Sequence, residues 1–188
     1  MPRLFLGLEL PASVKAQLLR VAGETSGLEG ARWQSAGQLH LTLVFLGEVA
    51  DARLPEVVTS LEGLSLPMFD LDVCSLGCFG SASAPHNLWA GIEPEEPLAA
   101  LHHELRTRLE GIGFAFESRR FRPHITLARF HRRRGSVEAL LGNWRGSEFG
   151  AFPAEAVSLF QSKLRPDGSE YSVIERFPLN RPVRGEEG

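Results

Sequence analysis

Hydrophobic and polar positions alternate only weakly along Arg3–Glu9 (RLFLGLE), which reads as a first strand. Pro11 then opens Ala12–Glu24, where Val14, Leu18, Val21 and Ala22 recur at helical spacing until Gly27 and Gly30 close the run. Arg32–Gln34 reads as a short extended piece, and Leu39–Leu46 (LHLTLVFL) as a strong strand ended by Gly47. Ala52–Leu61 predicts a second helix. Phe69–Phe79 and Asn87–Ile92 predict a hairpin across a Gly/Ser/Pro loop, and Leu98–Leu109 a longer amphipathic helix ending near Gly111 and Gly113. There follow a strand at His124–Phe130 and a short helix at Val137–Leu141. A last hairpin, Ala156–Leu164 with Tyr171–Phe177, turns at Pro166-Asp167-Gly168.

Helices and strands alternate irregularly, and several strands join by tight turns. That order predicts an α+β protein with mostly antiparallel sheets, not a doubly wound parallel sheet. No Gly-x-Gly-x-x-Gly and no Walker loop is present, so neither a dinucleotide fold nor an ATP-dependent ligase is supported. No linker divides the chain, which predicts a single domain over 1–188 with Arg184–Gly188 as a disordered tail.

Composition adds little to that picture. The chain is 43% hydrophobic and 23% charged, ordinary for a globular domain able to bury its own core. Cys74 and Cys78 are too few for a disulfide framework, and no second ligand pair accompanies them to make a zinc site. No apolar run is long enough to span a bilayer. A soluble, cytoplasmic, monomeric protein is expected, with no cofactor and no metal.

The net charge of −3 gives no overall pull toward nucleic acid, but its distribution is uneven. Between Ser118 and Arg134 lie seven arginines and no acidic residue, a local field that attracts anions. Eighteen of the twenty basic residues are Arg, so the richness alone is a habit of the chain. Its position beside one of the motifs below is what gives it weight.

One short string occurs twice. His40-Leu41-Thr42-Leu43 returns 84 residues later as His124-Ile125-Thr126-Leu127, each copy in a predicted strand. Residues two apart in a strand share a face, so each copy presents an imidazole and a hydroxyl together, backed by apolar side chains. The simplest arrangement is a two-lobed, pseudo-symmetric molecule in which each half supplies its own strands and helices, and the motifs meet in one cleft. A phosphodiester suits such a cleft. One imidazole takes a proton from the nucleophile, the other gives one to the leaving oxygen, and hydroxyls bind the non-bridging oxygens. No metal is needed.

The paired motifs resemble the 2H phosphoesterase superfamily. The wider strings Arg32-Trp33 with His40–Val49, and Arg122-Pro123-His124-Ile125-Thr126-Leu127-Ala128-Arg129, are similar to its RNA 2′,3′-cyclic phosphodiesterase branch, also called 2′-5′ RNA ligase. Arg3–Leu6 and the late Phe160–Leu164 with Gly168 and Tyr171 match in order, so the resemblance runs over nearly the whole chain. It implies a bilobal fold, two antiparallel sheets around a central cleft with helices outside. The implied activity is hydrolysis of an RNA terminal 2′,3′-cyclic phosphate to a 2′-phosphate, with 2′-5′ joining as its reverse. By the same resemblance His40 is the proton donor and His124 the acceptor; the two motifs are too alike to fix that polarity themselves. The implied partners are RNA ends carrying the cyclic phosphate, tRNA fragments among them.

Thr42 and Thr126 are the candidate phosphate-binding hydroxyls, and Arg122 and Arg129 flank the second motif as phosphate-binding guanidiniums. Strict alternation puts Arg122 on the motif face and Arg129 on the opposite one. It likewise makes Phe45 a core residue, with base stacking as the alternative. Trp33 is the better stacking candidate. His86, His102, His103 and His131 lack a partner motif; of the helical pair His102 and His103, one faces solvent. Two other functions remain open: a phosphodiesterase on a small cyclic nucleotide or cyclic phosphate, and a non-catalytic module that binds RNA ends. The two-histidine scheme predicts activity undiminished by excess EDTA; loss on chelation with rescue by Zn²⁺ or Mn²⁺ would count against it.

Overall fold

The computed structural model describes residues 1–181; the tail expected at Arg184–Gly188 lies outside them. The strands are β1 (Arg3–Glu9), β2 (Ala31–Trp33), β3 (His40–Glu48), β4 (Phe69–Ser81), β5 (Ala84–Glu93), β6 (Ile125–Phe130), β7 (Glu148–Ala154), β8 (Ala156–Arg165) and β9 (Gly168–Pro178). The helices are α1 (Ala12–Gly23), α2 (Leu54–Leu61), α3 (Glu95–Glu110) and α4 (Glu138–Asn143). The strands form two antiparallel sheets, in the orders β3-β1-β8-β9 and β2-β6-β5-β4-β7. The protein is α+β, as the element order predicts. No helix among the described residues is long and apolar enough to cross a membrane.

A strand–helix–strand unit occurs twice. β1 and β3 pair as neighbours with α1 between them in sequence, and β5 and β6 do the same around α3. The second strand of each unit carries a motif. The halves do not each supply their own lobe, however, which corrects the sequence reading. Strand β2 crosses to pair with β6 in the second sheet, and the β8–β9 hairpin returns to the first. The helices cross as well, α1 packing on β7 and α3 on β3. Local hydrophobic periodicity says that an element has an apolar face but not which sheet that face will meet. One continuous core results, running from Leu4 and Leu41 to Leu98, Ile125 and Leu159.

Strand β7 has no counterpart in the sequence reading. Its residues include Gly150 at φ +120° and Pro153, both of which interrupt a strand pattern. It pairs only with β4, and at a sheet edge a proline costs no inner ladder bond. Val14 of α1 is the nearest neighbour to the space a Cβ on Gly150 would fill. Strand β3 also runs past its expected end: Gly47, at φ +76°, is accommodated by a bulge at Leu46, and the strand continues to Glu48.

Leu41 and Ile125, beside the motif residues, are wholly buried. Burial of this kind holds each motif strand in register, since a one-residue slip would turn the apolar set outward. Leu41→Ala is expected to cost about 2–5 kcal/mol of folding free energy. Urea unfolding followed by circular dichroism measures it, and a loss under about 1 kcal/mol would mean that this strand is not held by its core face.

Candidate active site

The motif strands β3 and β6 pack against each other across the join between the sheets. Each carries a bulge one residue after its threonine. On β3, Val44 pairs with Leu6 and Thr42 with Gly7, leaving Leu43 as the extra residue. On β6, Ala128 pairs with Leu88 and Thr126 with Trp89, leaving Leu127 extra. The extra residue shifts the alternation by one. Leu43 and Val44 are therefore both buried, as are Leu127 and Ala128, and the next residue returns to the side of the threonine.

This corrects two expectations from strict alternation. Phe45 is not core: it is 53% exposed, pairs with Phe5 across β1, and lies under the Arg3 guanidinium. Arg129 stands on the Thr126 face, exposed, and its charge acts on both motif histidines. The two positions are equivalent in the repeat, so one copy contributes an aromatic ring where the other contributes a cation.

Both imidazoles are held the same way. His40 Nδ1 donates to the Gln38 carbonyl at 2.7 Å, and His124 Nδ1 donates to the Arg122 carbonyl at 2.7 Å. A carbonyl only accepts, so the proton of each neutral ring sits on Nδ1 and Nε2 keeps its lone pair. For His40, the Thr42 hydroxyl donates to that Nε2 at 2.8 Å. Thr126 is half-buried on the same face as Arg129.

Aromatic rings surround the histidines. Phe5, Tyr171 and Phe160 lie 4.7, 4.9 and 5.8 Å from the His40 ring; Phe79 and Trp89 lie 4.8 and 6.4 Å from that of His124. Gly7, opposite Thr42, has no side chain, and a Cβ there would come 2.5 Å from the Leu41 carbonyl oxygen. As walls of the site these rings were missed from sequence, where only Phe5, Phe160 and Tyr171 had a place in the family pattern. They come from five strands, and the pairings of β1 with β8, β8 with β9, β4 with β5 and β5 with β6 gather them around the two histidines.

Desolvation by these neighbours sets the charge state. Burial pushes His40 down to about 4, opposed by its bond to Gln38 and helped by the charges of Arg129 and His124. Burial also lowers His124, its bond to Arg122 opposing and Arg129 adding to the fall. Each ring is therefore neutral near pH 7 when the cleft holds no anion. The coupling of His40 to both His124 and Arg129 means that an anion among the three would feel all of them.

The other expected residues are spread around this centre. Arg122 is exposed and lines a cavity of about 340 Å³ that His124, Phe79 and Trp89 also border. Trp33, half-buried, lines a second cavity of about 320 Å³ together with Arg129, Gln38 and Tyr171. His103 is exposed and His102 is not: its Nδ1 donates to the Leu43 carbonyl, and its ring stacks on Phe121, three residues before His124. Cys74 and Cys78 are half-buried thiols in β4. Among the described residues, no group of three or more His, Cys, Asp or Glu gathers.

A model of the family described as LigT-like phosphoesterase matches residues 8–89 and 91–171, one stretch around each motif. An RNA 2′,3′-cyclic phosphodiesterase of Thermus thermophilus is 33% identical, covering 99% of this chain and 92% of its own length. One from Thermotoga maritima is 32% identical, covering 92% of each. The crystal structure of Escherichia coli LigT complexed with 3′-AMP superposes with a TM-score of 0.78 at 25% identity, over 96% of this chain and 99% of that one.

Because Arg129 depresses both imidazoles, Arg129→Ala is expected to raise the pKa of His40 and of His124. A histidine-selective NMR titration reads this directly. In the parent protein, His40 should stay neutral as pH falls through 6.5 and protonate only near 4. Ordinary titration of both rings near 6.5, unmoved by the substitution, would contradict the charge coupling.

Proposed function

The chain belongs to the LigT-like phosphoesterase family, and we propose that it hydrolyses RNA terminal 2′,3′-cyclic phosphates to 2′-phosphates by proton transfer between two histidines. The observation that carries this reading is the matched presentation of His40 and His124. Each has Nδ1 fixed on a carbonyl two residues earlier, and each is coupled to the single cation Arg129. The curated relatives named RNA 2′,3′-cyclic phosphodiesterase support the substrate class.

Fixing Nδ1–H on a backbone carbonyl leaves Nε2 as the working atom of each ring. The cyclic phosphate carries one negative charge, which Arg129 and the hydroxyls of Thr42 and Thr126 are suited to bind. His124 Nε2 takes a proton from water as the oxygen attacks phosphorus. His40 Nε2 gives its proton to the 3′-oxygen as the P–O3′ bond breaks, leaving the phosphate on O2′. Afterwards His124 is protonated and His40 neutral, and exchange with solvent restores the starting state. The same steps reversed, with a 5′-hydroxyl in place of water, would form a 2′-5′ linkage.

The assignment of His40 as donor must meet its low affinity for a proton in the empty cleft. An incoming phosphate anion supplies the missing counter-charge, so the proton enters with the substrate. Once there, a ring whose environment disfavours the cation gives the proton up readily to the departing oxygen. Thr42 has two roles in turn: it donates to neutral Nε2, and once that nitrogen is protonated and turned to the 3′-oxygen its hydroxyl proton is free for a non-bridging phosphate oxygen.

Separate His40→Ala and His124→Ala variants are each expected to lower kcat by about 10²–10⁴ on an oligonucleotide ending in a 2′,3′-cyclic phosphate. The product should keep its phosphate on O2′, which alkaline and phosphatase mapping of the end identifies. Losses below about tenfold in both variants would favour an RNA-end-binding module over an enzyme. Phosphate retained on O3′ would refute the proposed bond cleavage.

A further inference from the structure

Each motif histidine has its Nδ1 fixed by the carbonyl two residues earlier, but the two carbonyls are held differently. The side chain of Arg122 is exposed and makes no hydrogen bond among the described residues. Gln38, at the matching position, is half-buried with both ends of its amide engaged. Its Oε1 accepts from the Ser35 backbone N–H at 3.0 Å, and its Nε2 donates to the Ser169 carbonyl at 2.8 Å. One partner only donates and the other only accepts, so a single orientation of the amide satisfies both.

The turn that carries Gln38 is tied to the strands around the cleft. Just before it, the Gln34 N–H donates at 2.8 Å to the carbonyl of Leu127, the extra residue of the second motif. Within it, the Ser35 carbonyl accepts from the N–H groups of Gln38 and Leu39 at 3.0 and 3.1 Å. Strand β3 then begins at His40. On the far side, Ser169 belongs to β9, whose Tyr171 ring meets the His40 ring edge-on at 4.9 Å. Gly168 permits the close approach: its φ is +127°, and a Cβ there would come 3.0 Å from Gln38 Nε2. Gln38, Gly168, Ser169 and Tyr171 all line the cavity of about 320 Å³.

We propose that Gln38 is a positioning residue: braced against β9, it aims its own carbonyl at His40 Nδ1 and so fixes the tautomer and angle of that ring. Its catalytic weight rests on the reading of His40 as proton donor in the hydrolysis proposed above. The Thr42 hydroxyl does not set the tautomer, because it can donate to a bare Nε2 or accept from Nε2–H. A carbonyl only accepts, so the choice falls to Gln38. Burial and the charges of Arg129 and His124 disfavour a protonated His40, and the bond to Gln38 works against them. Proton transfer depends on such alignment, a misplacement of about 1 Å costing about 10²-fold. The motifs, nearly identical in sequence, thereby differ in support. His40 is braced through β6 and β9, while the matching Arg122 side chain gives His124 no such brace.

Gln38→Met keeps the length of the side chain and removes both of its bonds. Gly168→Ala leaves Gln38 in place and presses on its amide from β9. Each variant is compared with the parent protein by nitrogen NMR of the histidine rings and by steady-state hydrolysis of an oligonucleotide ending in a 2′,3′-cyclic phosphate. In the parent, both neutral rings should carry their proton on Nδ1. In Gln38→Met the His40 signals should move toward the Nε2–H form while those of His124 stay. Its kcat should fall by about 10–100-fold with KM changed by less than about twofold. Gly168→Ala should show the same pattern, more weakly. Should either variant fail to fold by circular dichroism, the other carries the test. A lower urea midpoint with the His40 tautomer as in the parent would assign Gln38 to stability alone and overturn the proposal, as would equal disturbance of both rings. If the parent protein hydrolyses nothing, the phosphodiesterase reading fails, and the NMR comparison still decides whether Gln38 sets the His40 ring.

Discussion

An unbroken strand places alternate residues on opposite faces, and the site departs from that rule at one place in each motif. Leu43 and Leu127 are extra residues in their pairings, so Val44 and Ala128 turn inward behind them and Phe45 and Arg129 turn out. Without the second bulge Arg129 would point into the core, where an unpaired guanidinium is prohibitively costly. With it, one cation reaches both histidines. The added apolar residue also deepens the buried side of each motif strand, so the feature that re-aims the arginine anchors the strand beneath it.

The remaining chemistry follows from where the imidazoles sit. Aromatic rings on both sides exclude water and disfavour the charged ring, while the carbonyls of Gln38 and Arg122 work in the opposite sense by accepting from Nδ1. The balance leaves both rings neutral when no anion is bound, with Nε2 of each unprotonated and that of His40 held by the Thr42 hydroxyl. Proton affinity in the cleft thereby becomes conditional on the presence of negative charge. A phosphodiester brings that charge with it, so the acid form is made only where it is needed.

Two observations show why the halves work as one body. Helix α3 touches the first motif strand through His102, bonded to the Leu43 carbonyl at the bulge, and touches the approach to the second through the stacked Phe121. Strand β2 leaves the first half of the chain to line the second sheet and sets Arg32 opposite Arg129. Bulge, helix and edge strand together tie the two motifs to a shared frame. The pseudo-symmetry stops at their outer ends: Phe45 lies beside Arg3 on one side, and Arg129 lies opposite Arg32 on the other.

The doubled His-x-Thr-x string determined a good deal by itself. Period-two alternation aligned each imidazole with a hydroxyl and put Leu41 and Ile125 in the core, because those relations extend over only two or three residues of one strand. Helical spacing likewise placed α1 and α3 within a few residues of their ends. What the chain order does not encode is which remote strand lies beside which. The docking of the β4–β5 and β8–β9 hairpins, with their aromatic rings, against β6 and β1, the crossing of α1 and α3 between sheets, and the edge strand β7 with its glycine and proline all arise from non-local pairing. The same cause reversed the expectations for Phe45 and Arg129: a bulge is a mismatch between two strands, and one strand read alone carries no sign of it.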